Sequence, residues 1–150
     1  MLRRVNEALF PNIPANMFVT CFYAIFDPKS GLLSYANAGH DLPYLWHGGE
    51  IEELKARGMP LGLIPGMSYE EKEGALEAGE AALFYSDGLV EAHDPKDEMF
   101  GFPRLRELIA EHGEERSLGN FLLEELYSFV GDGWEQEDDI TLLTLRRFAP

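Results

Sequence analysis

Apolar residues at Leu2, Val5, Ala8 and Leu9 recur at helical spacing over residues 2–10, and Pro11 and Pro14 stop the pattern, which reads as the tail end of a helix. Residues 18–26 are rich in Phe, Val, Thr, Tyr and Ile and read as a strand. The Asp27-Pro28-Lys29-Ser30-Gly31 turn leads into a return strand over residues 32–38, ended by Asn37-Ala38-Gly39-His40. A second hairpin is predicted from residues 43–46 and 51–54, with His47-Gly48-Gly49-Glu50 at its tip. Met59 to Gly66 is punctuated by Gly and Pro, as loops are. Residues 68–76 read as a polar, exposed strand, and residues 81–85 as an apolar central one. Two helices follow. The first spans residues 102–111, with Pro103 in its first turn and Phe102, Leu105, Leu108 and Ile109 on one face. The second spans residues 118–130, with Ser117 as N-cap and Gly131 as its stop. Residues 140–145 form a last strand. Strands joined by short hairpins, with the helices late, predict an α+β fold built on antiparallel sheet.

The chemistry that this pattern suggests lies at two strand ends. Asp87 follows the strand at 81–85, with Glu91 four residues on, and Asp138-Asp139 precedes the strand at 140–145. If those strands are antiparallel neighbours, the carboxylates converge on one rim of the sheet. Convergent hard oxygen ligands suit Mg²⁺ or Mn²⁺ rather than zinc. Asp-Gly is also ordinary turn chemistry, so spacing alone leaves both readings open. His40 closes a strand end beside Asn37 and Gly39, where it can serve as an acid, a ligand or a loop-fixing hydrogen-bond partner. His47, His93 and His112 lie in polar turns or at a helix end and read as solvated.

Composition narrows the partners. The 150 residues suit one domain, and 45% hydrophobic with 26% charged residues is ordinary globular composition. The net charge of −15 disfavours nucleic acid and anionic membrane surfaces, both of which need clustered Lys and Arg. Cys21 is the single cysteine, so no internal disulfide can form, and a reducing, cytoplasmic location is expected. No apolar run approaches the roughly 18 residues that a membrane helix needs.

Six strings in order add a resemblance: Met17-Phe18-Val19-Thr20, Tyr35 through His40, Met59-Pro60-Leu61-Gly62, Tyr85 through Ala92, Met99-Phe100-Gly101, and Asp138 through Leu142. Together they resemble the C-terminal half to two-thirds of the SpoIIE/RsbU branch of the PPM phosphatases, over nearly the whole chain. The resemblance implies a partial α-β-β-α sandwich, with antiparallel sheets flanked by helices. It implies hydrolysis of phosphoserine or phosphothreonine by water activated on two Mn²⁺ or Mg²⁺ ions, with no side-chain nucleophile. It also implies that Asp87, Asp138 and Asp139 are metal ligands, with Asn37, Gly39, His40, Gly88 and Glu91 around the cleft.

The departures are as informative. The family's earlier acidic strand and DVSGKG-like turn, which supply the remaining ligands, are not found in this sequence, and Asp41 stands where the family usually has Pro. The expectation is a single, N-terminally incomplete domain over residues 1–150 whose rim holds metal weakly by itself. By resemblance its substrate is a phosphorylated protein such as an anti-sigma-factor antagonist. The missing segment is expected to come from elsewhere, or exposed sheet edges to drive self-association. A catalytically incomplete module acting as a binding or regulatory unit is the alternative.

Overall fold

The computed structural model describes residues 1–148. Its elements in chain order are α1 (Leu2–Leu9), β1 (Cys21–Phe26), β2 (Leu32–Ala38), β3 (Tyr44–His47), β4 (Glu50–Glu53), β5 (Glu71–Ala75), β6 (Ala81–Tyr85), α2 (Gly101–His112), α3 (Leu118–Val130) and β7 (Leu142–Arg146). They fall into two compact units. All strand pairings are antiparallel, as an α+β fold of this kind requires.

The first unit comprises Met1–Leu42 and Leu54–Leu76. Its sheet has the order β1-β2-β5. Asp27 shapes the β1–β2 turn: one carboxylate oxygen accepts from the Lys29 N–H (3.0 Å) and the other from the Ser30 hydroxyl (2.7 Å). The helix α1 presents only part of the face that its apolar spacing predicts, with Leu2 and Leu9 packed inward. Val5 is exposed, whereas Leu2 and the polar Asn6 are buried. Asn6 satisfies both ends of its amide on one loop, donating to the Ile64 carbonyl (2.9 Å) and accepting from the Gly62 N–H (2.8 Å). The strand predicted to start at residue 18 begins its regular pairing at Cys21; Val19 instead bridges Leu61, with N···O distances of 2.9 and 2.8 Å.

The second unit comprises Pro43–Glu53 and the chain from Glu77 onward. Its sheet has the order β4-β3-β6-β7. Tyr44, Leu83 and Tyr85 of the sheet pack with Leu105 and Ile109 of α2 and with Leu118, Leu122, Leu126 and Val130 of α3. The apolar stripes at three- and four-residue spacing bury the two helices against the sheet, as amphipathic helices do. The predicted spans of β6 and α3 match residue for residue. Ser117 makes no side-chain cap, so α3 starts without the hydrogen bond its sequence suggests. The strand β7 begins at Leu142 rather than at residue 140, and the reason lies at its junction with β6.

Candidate functional site

The β6–β7 ladder runs from Ala81↔Arg146 to Tyr85↔Leu142, so the end of β6 and the start of β7 are neighbours. Past that rung, Asp87–Leu89 coils into a single 3-10 turn, closed by the Val90 and Glu91 N–H groups on the Asp87 carbonyl (both 2.9 Å). Only one more main-chain bond follows, from the Ser86 N–H to the Thr141 carbonyl (3.1 Å), and Ile140 and Thr141 lie outside the strand. The Asp138-Asp139 segment nevertheless passes directly over the turn. A Cβ placed on Gly88 would lie 2.7 Å from the Asp139 carbonyl oxygen and 3.4 Å from the Asp138 carbonyl carbon. Only glycine admits that approach. The two acidic strand ends thus meet on one rim, as the sequence pattern requires of antiparallel neighbours.

Asp87, Asp138 and Asp139 are all exposed. One carboxylate oxygen of Asp87 accepts from the Gly88 N–H (3.0 Å), and one of Asp138 from the Asp139 N–H (2.7 Å). These local bonds orient each carboxylate and leave its second oxygen outside them. Beside the rim lies a cleft of about 290 Å³ lined by Gly88, Glu91, Ala92, His93, Met99, Glu137 and Asp138. His93 is not simply solvated: its Nδ1 lies 3.0 Å from a Glu137 carboxylate oxygen. The wall beyond it is a small loop in which the Asp94 carboxylate accepts from the N–H groups of Lys96 (2.8 Å) and Glu98 (2.9 Å). The Glu98 bond, first among several influences, holds the Asp94 carboxyl below the usual carboxylate range. His47 and His112 also have partners, Glu80 at 2.6 Å and the Phe121 ring at 4.4 Å.

Asn37, Gly39 and His40 belong to the first unit and form a self-contained turn there. The Asn37 amide donates to the His40 carbonyl and accepts from the His40 N–H, both at 2.8 Å. His40 Nδ1 lies 3.0 Å from the Thr20 hydroxyl. Asn37 is itself buried, so this turn has a sufficient structural role. Sequence reasoning overlooked Ser86 and Glu137. Ser86 borders Asp87 and is bonded to Asp139 53 residues on, a signal visible only once β6 and β7 are paired.

Comparison with known proteins identifies the lineage. The family model for stage II sporulation protein E (SpoIIE) matches residues 1–148. The chain belongs to the SpoIIE family. That family, of the PPM phosphatase type in its SpoIIE/RsbU branch, is metal-dependent, generally on Mn²⁺ or Mg²⁺. The protein IcfG of Synechocystis is 33% identical over 133 residues, covering 87% of this chain and 21% of its own length. The phosphoserine phosphatase RsbU of Bacillus subtilis is 29% identical over 151 residues, covering 98% of this chain and 44% of its own length. Among solved structures, the SiaA-PP2C domain of Pseudomonas aeruginosa superposes with a TM-score of 0.79 at 23% identity, covering 94% of this chain and 57% of that one. The likeness to SiaA supports the PPM fold. The chain spans less than half the length of the two curated relatives.

The rim of this SpoIIE-family chain fits the family's metal in kind. Its donors are hard, exposed carboxylate oxygens, and Mg²⁺ commonly takes one or two carboxylates and keeps several waters. In number the rim falls short of a two-ion cage. Among the described residues, no group of three or more His, Cys, Asp or Glu side chains is placed to hold an ion. No helix among the described residues is long and apolar enough to cross a membrane.

Proposed function

We propose that this chain forms part of a metal-dependent protein serine/threonine phosphatase, in which Asp87 and Asp138, with Asp139 beside it, are ligands to a divalent cation. The observation that carries the reading is the passage of the Asp138-Asp139 backbone over Gly88, which brings that segment beside the turn that carries Asp87. Further acidic ligands come from another segment or another chain, because the rim alone has too few. A bound divalent cation supplies charge that lowers the pKa of water and neutralises phosphoryl oxygens. The residues of this chain do the rest: Asp87 and Asp138 hold position, and Glu91, His93 and Glu137 line the cleft beside them. In this reading residues 1–150 form a single, N-terminally incomplete phosphatase domain. The substrate is a phosphoserine or phosphothreonine protein in sigma-factor regulatory signalling, such as an anti-sigma-factor antagonist, and the setting is the cytoplasm. The activity in RsbU's own name supports the phosphoserine class.

That no three acidic, His or Cys side chains among the described residues are grouped to hold an ion favours a second reading, a catalytically incomplete module that binds a partner. Hydrolysis of a small aryl phosphate with and without Mn²⁺, beside Asp87→Asn, separates the two. Mn²⁺-dependent turnover that disappears in Asp87→Asn supports the enzyme for this chain itself. No turnover at any Mn²⁺ concentration supports the incomplete module.

A further inference from the structure

The junction between β6 and β7 contains a side chain that neither the ladder nor the core needs. One main-chain bond follows the last rung, from the Ser86 N–H to the Thr141 carbonyl (3.1 Å). The backbone of β6 then turns away at Asp87, and no further peptide groups can face each other. The Ser86 side chain takes over. Its hydroxyl donates to the Asp139 carbonyl (2.9 Å) and accepts from the Thr141 N–H (2.9 Å). A hydroxyl offers one donor and two lone pairs. Here it hooks the peptide groups on both sides of Ile140 and draws the Asp138-Asp139 segment down onto the turn. Gly88 supplies the complementary feature, a surface low enough to let that segment come close.

We propose that Ser86 is a positioning residue for the cation site: its hydroxyl, hooked over Ile140, sets the separation between the Asp87 and Asp138 carboxylates. This rests on the reading that those carboxylates hold a divalent cation. The ladder itself does not depend on the hook, because the register from Tyr85↔Leu142 to Ala81↔Arg146 is held by backbone pairing. Nor does the core, because Ser86 is only half-buried and its neighbour Asp87 is exposed. What the hook removes is freedom of the segment that carries Asp138. Ligands fixed before an ion arrives lose less conformational entropy on binding it. Partners of this outer kind typically change metal affinity by about ten- to a hundredfold.

The test is Mn²⁺ binding to the full chain, followed by loss of the free-ion paramagnetic resonance signal, for the native protein, Ser86→Ala, Ser86→Thr and Asp87→Asn. Thermal midpoints without metal and amide exchange at Thr141 are measured alongside. The expected result is affinity lowered about tenfold or more in Ser86→Ala, near-native affinity in Ser86→Thr, and similar metal-free midpoints for both. Thr141 exchange should quicken in Ser86→Ala and recover in Ser86→Thr. Native affinity in Ser86→Ala with a weakened Asp87→Asn overturns the role of Ser86 and leaves the cation site standing. Equal weakening in Ser86→Ala and Ser86→Thr also overturns it, since the hydroxyl is then not the agent. Absence of saturable binding in the native chain, or native affinity in Asp87→Asn, overturns the cation site and the proposal with it.

Discussion

Gly88 occupies a point where the chain leaves no room for a side chain. An added methyl at 2.7 Å from the Asp139 carbonyl oxygen would meet backbone, which cannot swing aside as a flexible side chain can. The Asp138-Asp139 segment would have to lift, stretching the Ser86 hydroxyl bonds with it. Gly88→Ala should therefore weaken Mn²⁺ binding by about tenfold or more while leaving the β6–β7 ladder intact. Titration of the metal against the variant, with the far-ultraviolet circular dichroism compared, checks both halves of that statement. Unchanged affinity would mean that the close approach has no bearing on the rim. His93 carries a different lesson at this scale. Its turn position looks solvated in the sequence, yet Glu137 meets it from 44 residues away.

Among the elements, α1 is held by one polar residue as well as by Leu2 and Leu9. Asn6 is fully buried and replaces water with two bonds to the loop at residues 62–64. Removing its amide leaves the Gly62 N–H and the Ile64 carbonyl without that partner. An unsatisfied buried polar group costs roughly 1–3 kcal/mol, so Asn6→Ala should lose stability of that order. Urea unfolding of native and variant chains checks it through the shift in midpoint; a shift near zero would mean that water or the loop itself replaces the amide. Periodicity made this helix legible and placed Leu2 and Leu9 on its inner side, but it missed Asn6 there and counted the exposed Val5 and Ala8. Helical spacing distinguishes apolar from polar positions, and it cannot tell that a polar side chain has found both of its partners inside. The β6 and α3 spans were fully legible, because each is a continuous apolar pattern bounded by Gly or by turn residues.

For the whole molecule, what remains uncovered matters most. In the first unit Met17, Phe18, Val19 and Ile25 are exposed, and β1 ends its sheet. In the second, β7 ends its sheet and Leu143 is exposed on it. Open strand edges next to apolar side chains are templates for pairing with another chain. We therefore expect self-association, opposed by the net charge of −15. Salt screens that repulsion, so association should strengthen as ionic strength rises. Size-exclusion chromatography with light scattering at tens of micromolar protein should give a mass above that of one chain. A clean monomer at both low and high salt would rule this out.

The amino-acid sequence by itself determined the order of strands and helices and the antiparallel character of the sheets, and its ordered strings pointed to the family. The elements follow from local periodicity and turn residues and the family from the ordered strings, whereas the meeting of Asp87 with Asp138-Asp139 depends on β6 and β7 being neighbours although two helices separate them in the chain. Tertiary structure alone decided how the rim is held. The Ser86 hydroxyl reaches Asp139 across 53 residues, and the Gly62 N–H reaches Asn6 across 56. Such bonds depend on strand register and side-chain direction to within an ångström, and no short-range pattern in the chain encodes a distance of that kind.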